Sequence, residues 1–142
     1  MMPPRVFVLV WLAGAGLGQY LGWQAGALAV SCGLALTVAG AWLARVTLRQ
    51  FAQAATSAHP LAPASRLLRH GVFARSRNPL YVAMLLLYAG LAGVLRQPGA
   101  WLGLPWLWWW LQWRVIAGEE AKLLATFGDA YVAYCRQTPR WW

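Results

Sequence analysis

Four long runs without a charged residue dominate this sequence and limit what it can fold into. The runs cover residues 6–23, 25–44, 78–95 and 97–113. A helix needs about 20 mainly apolar residues to cross the hydrocarbon core of a bilayer, so each run is of the required order. The runs predict an all-α, integral membrane protein with four transmembrane helices. Their expected limits are residues 6–23, 27–46, 79–96 and 100–118.

The composition supports lipid as the solvent of these helices. Charged residues make up 11% of the chain and hydrophobic residues 61%, whereas soluble domains carry about 25% charged residues. A soluble chain of 142 residues has too little interior to hide that much apolar surface. The length suits one domain, residues 1–142, in which a two-helix N-terminal part (1–48) precedes a hairpin and C-terminal tail (60–142).

The positive charges are distributed unevenly along the chain. Six arginines lie between the second and third predicted helices: Arg45, Arg49, Arg66, Arg69, Arg75 and Arg77. The predicted opposite face has only Arg96. This positive-inside pattern predicts a cytoplasmic loop over residues 45–78 and cytoplasmic termini, in the plasma (inner) membrane. Headgroups of the lipid bilayer suffice as partners for these charges, so the net charge of +9 does not indicate nucleic acid.

Turn-forming residues divide the second half of the chain. Residues 57–65 are rich in them and are not expected to be helical. Asn78 followed by Pro79 predicts a helix start, because asparagine side chains cap helices and proline fits the first turn. Backbone N–H groups at such a start are free to bind an anion. Short C-terminal helices are expected over residues 121–127 and 129–136, separated by Gly128.

The candidate chemistry lies near the C-terminus, because all three acidic residues follow the fourth predicted helix. Glu119 and Glu120 form either a solvated helix end, with Lys122 as an ion-pair partner, or part of a binding site. Arg77 is suited to a lipid phosphate or to a bidentate grip on a carboxylate. Tyr81, one turn into the third helix, is either an interfacial aromatic or a pocket wall.

Histidine and cysteine give weaker signals. His70 is an acid or a base by residue type, although a lone histidine in a basic loop commonly has no special role. Cys32 and Cys135 have no His or Cys neighbour at metal-ligand spacing, so the sequence predicts no metal site. We interpret both cysteines as structural.

Several short motifs follow one another in a specific order along residues 60–140. They are Gly71-Val72-Phe73, Arg77-Asn78-Pro79-Leu80-Tyr81, Glu119-Glu120, Phe127-Gly128 and Tyr131-Val132-Ala133-Tyr134. In this order, around a hydrophobic hairpin, they resemble the isoprenylcysteine carboxyl methyltransferase and phospholipid methyltransferase superfamily. Two positions depart from the family pattern: Phe73 stands where tyrosine is usual, and Ala83 stands where glycine is usual.

The resemblance implies a membrane methyltransferase that uses S-adenosylmethionine as its cofactor. It implies that the paired glutamates take part in cofactor binding, and that Arg77, before the proline, lies at the reacting end as the catalytic residue. The cofactor site that it implies comprises His70, Gly71, Phe73, Asn78, Pro79, Tyr81, Glu119 and Glu120.

The resulting hypothesis is methyl transfer to a small or lipophilic acceptor at the cytoplasmic membrane face. The acceptor is a carboxylate, an amine or a thiol, and the residues do not decide among these three. The alternative is a non-catalytic or transporter-like four-helix membrane protein. A transporter normally carries a charged side chain within a span, and the first three uncharged runs contain none.

Overall fold

The computed structural model describes residues 3–54 and 66–142. These residues form six α-helices and contain no strand, in agreement with the all-α prediction. The helices are α1 (Pro3–Tyr20), α2 (Ala27–Gln53), α3 (Pro79–Val94), α4 (Gly103–Trp110), α5 (Ala117–Phe127) and α6 (Asp129–Gln137). There are also two 3₁₀ turns, Gly71–Ala74 and Pro98–Leu102, and a π-helical turn, Leu111–Ile116. The turn-rich stretch 57–65, with the boundary at residue 60, lies outside the described residues.

The helices depart from the predicted spans at their ends, and glycine and proline explain the main shifts. α1 ends before residue 23, because Gly22 has a φ of +70 and lets the chain leave the helix. α4 begins at Gly103, because Pro98 first opens the second 3₁₀ turn. α2 continues well beyond residue 46, since no glycine or proline stops it there.

Within residues 3–54 and 66–142, α2 is the one helix that is long and apolar enough to cross a membrane. α3 is apolar as well, but it is shorter. Large apolar side chains of α2 point outward: Leu28 is 78% exposed, Val38 62% and Trp42 61%. An apolar exterior of this kind marks a surface that lipid or another protein covers. α2 therefore supports a membrane protein, and the four-helix topology stays a prediction.

Small residues allow the helices to approach closely. A Cβ atom on Gly33 of α2 would lie 2.7 Å from the backbone oxygen of Gly90 in α3. A Cβ atom on Gly14 of α1 would lie 2.6 Å from the backbone oxygen of Gly99, and one on Gly18 would lie 2.9 Å from its Cα atom. Only glycine permits helix backbones to come this near. These contacts hold α3 against α2 and the turn at Gly99 against α1.

The last three helices bring the C-terminal region back over the start of α3. α4, the π-helical turn and α5 follow one another without a break, and both short C-terminal helices lie where the sequence predicted them. Gly128, with a φ of +51, lets the chain reverse into α6. The Tyr134 hydroxyl of α6 then donates to the carbonyl of Phe73, 2.7 Å away. Burial raises the pKa of Tyr134 to about 12, which keeps this hydroxyl protonated as a donor.

Candidate functional site

Two arginines enclose the carboxylate of Glu120 where α3, α5 and the C-terminal tail meet. Arg77 Nη1 lies 2.8 Å from Glu120 Oε1. Arg140 spans both oxygens, with Nε 3.0 Å from Oε1 and Nη2 2.5 Å from Oε2. We name these three residues the arginine–glutamate cluster. Two guanidinium charges face one carboxylate charge, so the cluster carries a surplus positive charge.

Backbone and side-chain contacts with the tail fix Arg77 in this position. The Arg77 N–H donates to the carbonyl of Pro139, 3.0 Å away. Asn78 donates from Nδ2 to the carbonyl of Arg140 at 2.9 Å, and its backbone N–H donates to Ser76 Oγ at 3.1 Å. The predicted start of α3 after Asn78 is confirmed, but the Asn78 side chain makes no capping hydrogen bond and donates to the tail instead.

α6 supplies further neighbours of Arg77. Its Nη1 lies 2.8 Å from Cys135 Sγ, and Tyr131 is close enough to interact electrostatically with the guanidinium. Burial acts to lower the pKa of Arg77, but the facing Glu120 and the groups of α6 raise that pKa above its ordinary value, so Arg77 stays charged. Arg77 Nε is buried without a hydrogen-bond partner among the described residues. This N–H is therefore open to an acceptor from a ligand.

Glu119 has a different partner from its neighbour Glu120. The Tyr81 hydroxyl donates to Glu119 Oε1 at 2.5 Å, which links α3 to α5. Burial raises the pKa of Glu119, and the hydrogen bond from Tyr81 opposes part of that shift. Both glutamates are half-buried, so neither belongs to a fully solvated helix end. The structure thus gives the adjacent carboxylates distinct electrostatic environments.

The two positions that depart from the family pattern lie in an apolar cluster. Phe73 is buried there with Leu43, Val72 and Ala83. The ring of Phe73 meets Phe51 edge-on, with ring centroids 5.3 Å apart. Ala83 is fully buried between α2 and α3. Both side chains therefore contribute to packing, which explains why a phenyl ring and a methyl group fit at these positions, and the assignment of Phe73 to cofactor binding stays a prediction.

Three other predicted site residues have neighbours outside the arginine–glutamate cluster or are buried at the start of α3. His70 is exposed, and its carbonyl accepts from the backbone N–H of Phe73. Gly71 has a φ of +63, and a Cβ atom there would collide with the side-chain amide of Gln50. Pro79 is fully buried at the start of α3. The assignment of these residues to cofactor binding stays a prediction.

Sequence reasoning missed several side chains that the fold brings to this region. Arg140, Tyr131 and Cys135 contact Arg77 or Glu120 from the last part of the chain. Gln50 comes from the end of α2, and its Oε1 is buried without a partner in the described ranges. The one available signal was the Tyr-x-x-Tyr motif that contains Tyr131. No local spacing reveals the others, because their partners are distant in sequence.

Comparison with known families gives one result that bears on this site. The chain matches the phospholipid methyltransferase family over residues 28–130, well over half of its length. That range holds α2 except its first residue, all of α3, α4 and α5, and every predicted site residue. No significant match emerged among the curated proteins or the solved structures with which the chain was compared. The family match agrees with the order of motifs, and the chain therefore belongs to the phospholipid methyltransferase family.

Proposed function

We propose that this chain transfers a methyl group from S-adenosylmethionine to a small or lipophilic acceptor at the cytoplasmic face of the membrane. The observation that carries the proposal is the convergence of Arg77, Glu119 and Glu120 on one site, from opposite ends of the segment 77–120. Membership of the phospholipid methyltransferase family supports methyl transfer as the reaction. The long apolar α2 supports the membrane as its location.

The residues at the site fit the cofactor, which carries a carboxylate, an ammonium and a sulfonium. The surplus positive charge of the arginine–glutamate cluster, with the open N–H at Arg77 Nε, suits the carboxylate. Glu119 Oε1 accepts from Tyr81, and the Glu119 carboxylate, on which Lys122 also acts electrostatically, has further acceptor positions for the ammonium or the ribose hydroxyls. The site therefore offers groups of both signs, as a zwitterionic ligand requires.

The chain's own residues contribute positioning and proton transfer. When bound, S-adenosylmethionine supplies an electrophilic methyl group for an in-line displacement. The protein holds the reactants in line and excludes water from them. Arg77 has the charge and the planar fork to orient an anionic group. The raised pKa of Glu119 suits a carboxylate that takes a proton from an amine or thiol acceptor, whereas a carboxylate acceptor needs no base.

Isothermal titration of the purified protein with S-adenosylhomocysteine tests this proposal without knowledge of the acceptor. We expect saturable binding to the wild type and much weaker binding to the double variant Glu119→Gln, Glu120→Gln, because the variant lacks both carboxylates. Asp129→Asn is the matched control, since it removes an exposed carboxylate of α6. A folded wild-type protein that binds no S-adenosylhomocysteine would instead favour the non-catalytic or transporter-like alternative.

A further inference from the structure

The C-terminal tail crosses the arginine–glutamate cluster and ties its elements together. We define residues 138–141 as the C-terminal strap. Carbonyl groups of the strap accept from the Arg77 N–H at 3.0 Å and from Asn78 Nδ2 at 2.9 Å. At its end, Trp141 Nε1 donates to Gln112 Oε1 in the π-helical turn, 2.8 Å away. The strap therefore joins the start of α3 to the helical segment that precedes the glutamates.

Arg140 is the residue of the strap that reaches the carboxylate. Its fork occupies both oxygens of Glu120, whereas Arg77 contacts Oε1 alone. A carboxylate accepts about four hydrogen bonds, and the contacts with the two arginines leave one acceptor position, on Oε2. Because a bidentate pair fixes the plane of the carboxylate, Arg140 determines where this open position points.

Loss of the Arg140 guanidinium would change the hydrogen bonding of both Glu120 and Arg77, the two residues proposed to face a ligand. Glu120 would keep Arg77 as its partner and would be free to turn to the side-on fork of that guanidinium, in which the open Nε pairs together with Nη2. Such a pair consumes the donor that an anionic ligand group needs, and the surplus positive charge disappears with Arg140. The Arg140 guanidinium thus keeps Glu120 from occupying the Arg77 N–H donor that an anionic ligand group would use.

We propose that Arg140 is a positioning residue of the methyl-transfer site: it orients Glu120 and thereby keeps Arg77 available to the anionic group of the cofactor. The family match ends at residue 130, so the C-terminal strap lies outside it. This inference rests on the proposed function and adds to it a segment beyond the family match.

The test is the affinity of Arg140→Gln for S-adenosylhomocysteine, measured by isothermal titration together with the melting temperature in detergent. We expect the affinity to fall on the order of tenfold, within the range that coupled neighbouring residues show. Arg136→Gln is the matched control, because it removes an exposed charge of α6 and should bind as the wild type does. Arg140→Lys keeps the charge without the fork, and it should lose part of the affinity.

A double-mutant cycle with Glu120→Gln shows whether Arg140 acts through that carboxylate. We expect the second substitution to add little to the affinity loss caused by the first. Unchanged affinity in Arg140→Gln, additive losses in the cycle, or tighter binding would each overturn the proposal; tighter binding would mean that Arg140 competes with the ligand for Glu120. If Arg140→Gln does not fold and Arg140→Lys does, an affinity of Arg140→Lys equal to that of the wild type would overturn the proposal. Absence of binding by the wild type would instead show that the proposed function itself is wrong, and the inference with it.

Discussion

The two adjacent glutamates of the site have different hydrogen-bond and ion-pair partners. Successive residues of a helix point about 100° apart, so neighbouring side chains face different elements. Glu119 faces α3 and receives the Tyr81 hydroxyl, whereas Glu120 faces the two arginines. The sequence identified the pair but left open which glutamate has which partner.

For this single residue we predict that the effect of Glu119→Gln on the melting temperature depends on pH. Burial raises the pKa of Glu119 above its ordinary value of 4.5, so folding favours the protonated form. That contribution to stability is complete below pH 4.5 and is lost as the pH rises through the raised pKa. The neutral glutamine still accepts from Tyr81. We therefore expect the variant to melt above the wild type at pH 8, and the difference to shrink toward pH 4.5.

Glu120→Gln is the control for that experiment, because it removes a carboxylate that two arginines hold. It should melt below the wild type at pH 8, since it leaves the two guanidinium groups without their counter-charge. A melting difference between Glu119→Gln and the wild type that stays constant from pH 5 to 8 would contradict the assigned role of burial.

At the scale of elements, the glycine contact between α2 and α3 sets the position of the site. Gly33 lies against the backbone of α3, and the apolar cluster around Phe73 joins the same two helices farther along. Arg77 and Tyr81 belong to the start of α3, so any shift of α3 along α2 would move them relative to the glutamates. The π-helical turn directly precedes α5, and such turns are frequent at functional sites.

We predict that Gly33→Ala destabilises the protein by about 1–3 kcal/mol, the usual range for overpacking. Its Cβ atom would lie 2.7 Å from the backbone oxygen of Gly90, and backbone cannot move aside as a flexible side chain can. Gly16→Ala is the matched control on α1, since a Cβ atom there meets nothing within 4 Å. Melting in detergent should separate the two variants; equal melting temperatures would argue against a close contact of α2 with α3.

At the scale of the whole molecule, the site lies at one end of the helix bundle. The end of α2, the start of α3 and the glutamates of α5 meet there, with the C-terminal strap across them. The turn at Gly99 packs on α1 at the opposite end. Arg77 and Arg140, which the sequence predicts to lie on the cytoplasmic side, belong to the end that carries the site.

We predict that both chain termini and the end that carries the site face the cytoplasm, because positively charged loops remain there. Reporter fusions after residues 24, 60, 98 and 142 should read outside, inside, outside and inside, in that order. Paired reporters, one active only in the periplasm and one fluorescent only in the cytoplasm, make each reading a positive signal. A periplasmic signal from the fusion after residue 60 would invert the proposed orientation.

The sequence by itself determined the helical class, the approximate helix positions and the family. Apolar runs and turn-forming residues act locally, so α3, α5 and α6 begin or end close to the predicted residues. The ordered motifs also identified Arg77, Tyr81 and the two glutamates, whose side chains the structure brings together. These features follow from residues near one another in the chain, or from a pattern that spans most of it.

Only the tertiary structure decided which charges meet. Arg140 and Glu120 are twenty residues apart in the chain, and Arg77 and Cys135 are fifty-eight residues apart. Their contacts depend on the reversal at Gly128 and on the crossing of the tail over α3. Asn78 shows the same limit: it precedes α3 as the sequence predicts, but its side chain donates to the tail and makes no capping hydrogen bond. A local pattern cannot foresee a partner that long-range packing supplies, and in this protein packing selects the partners of Glu120.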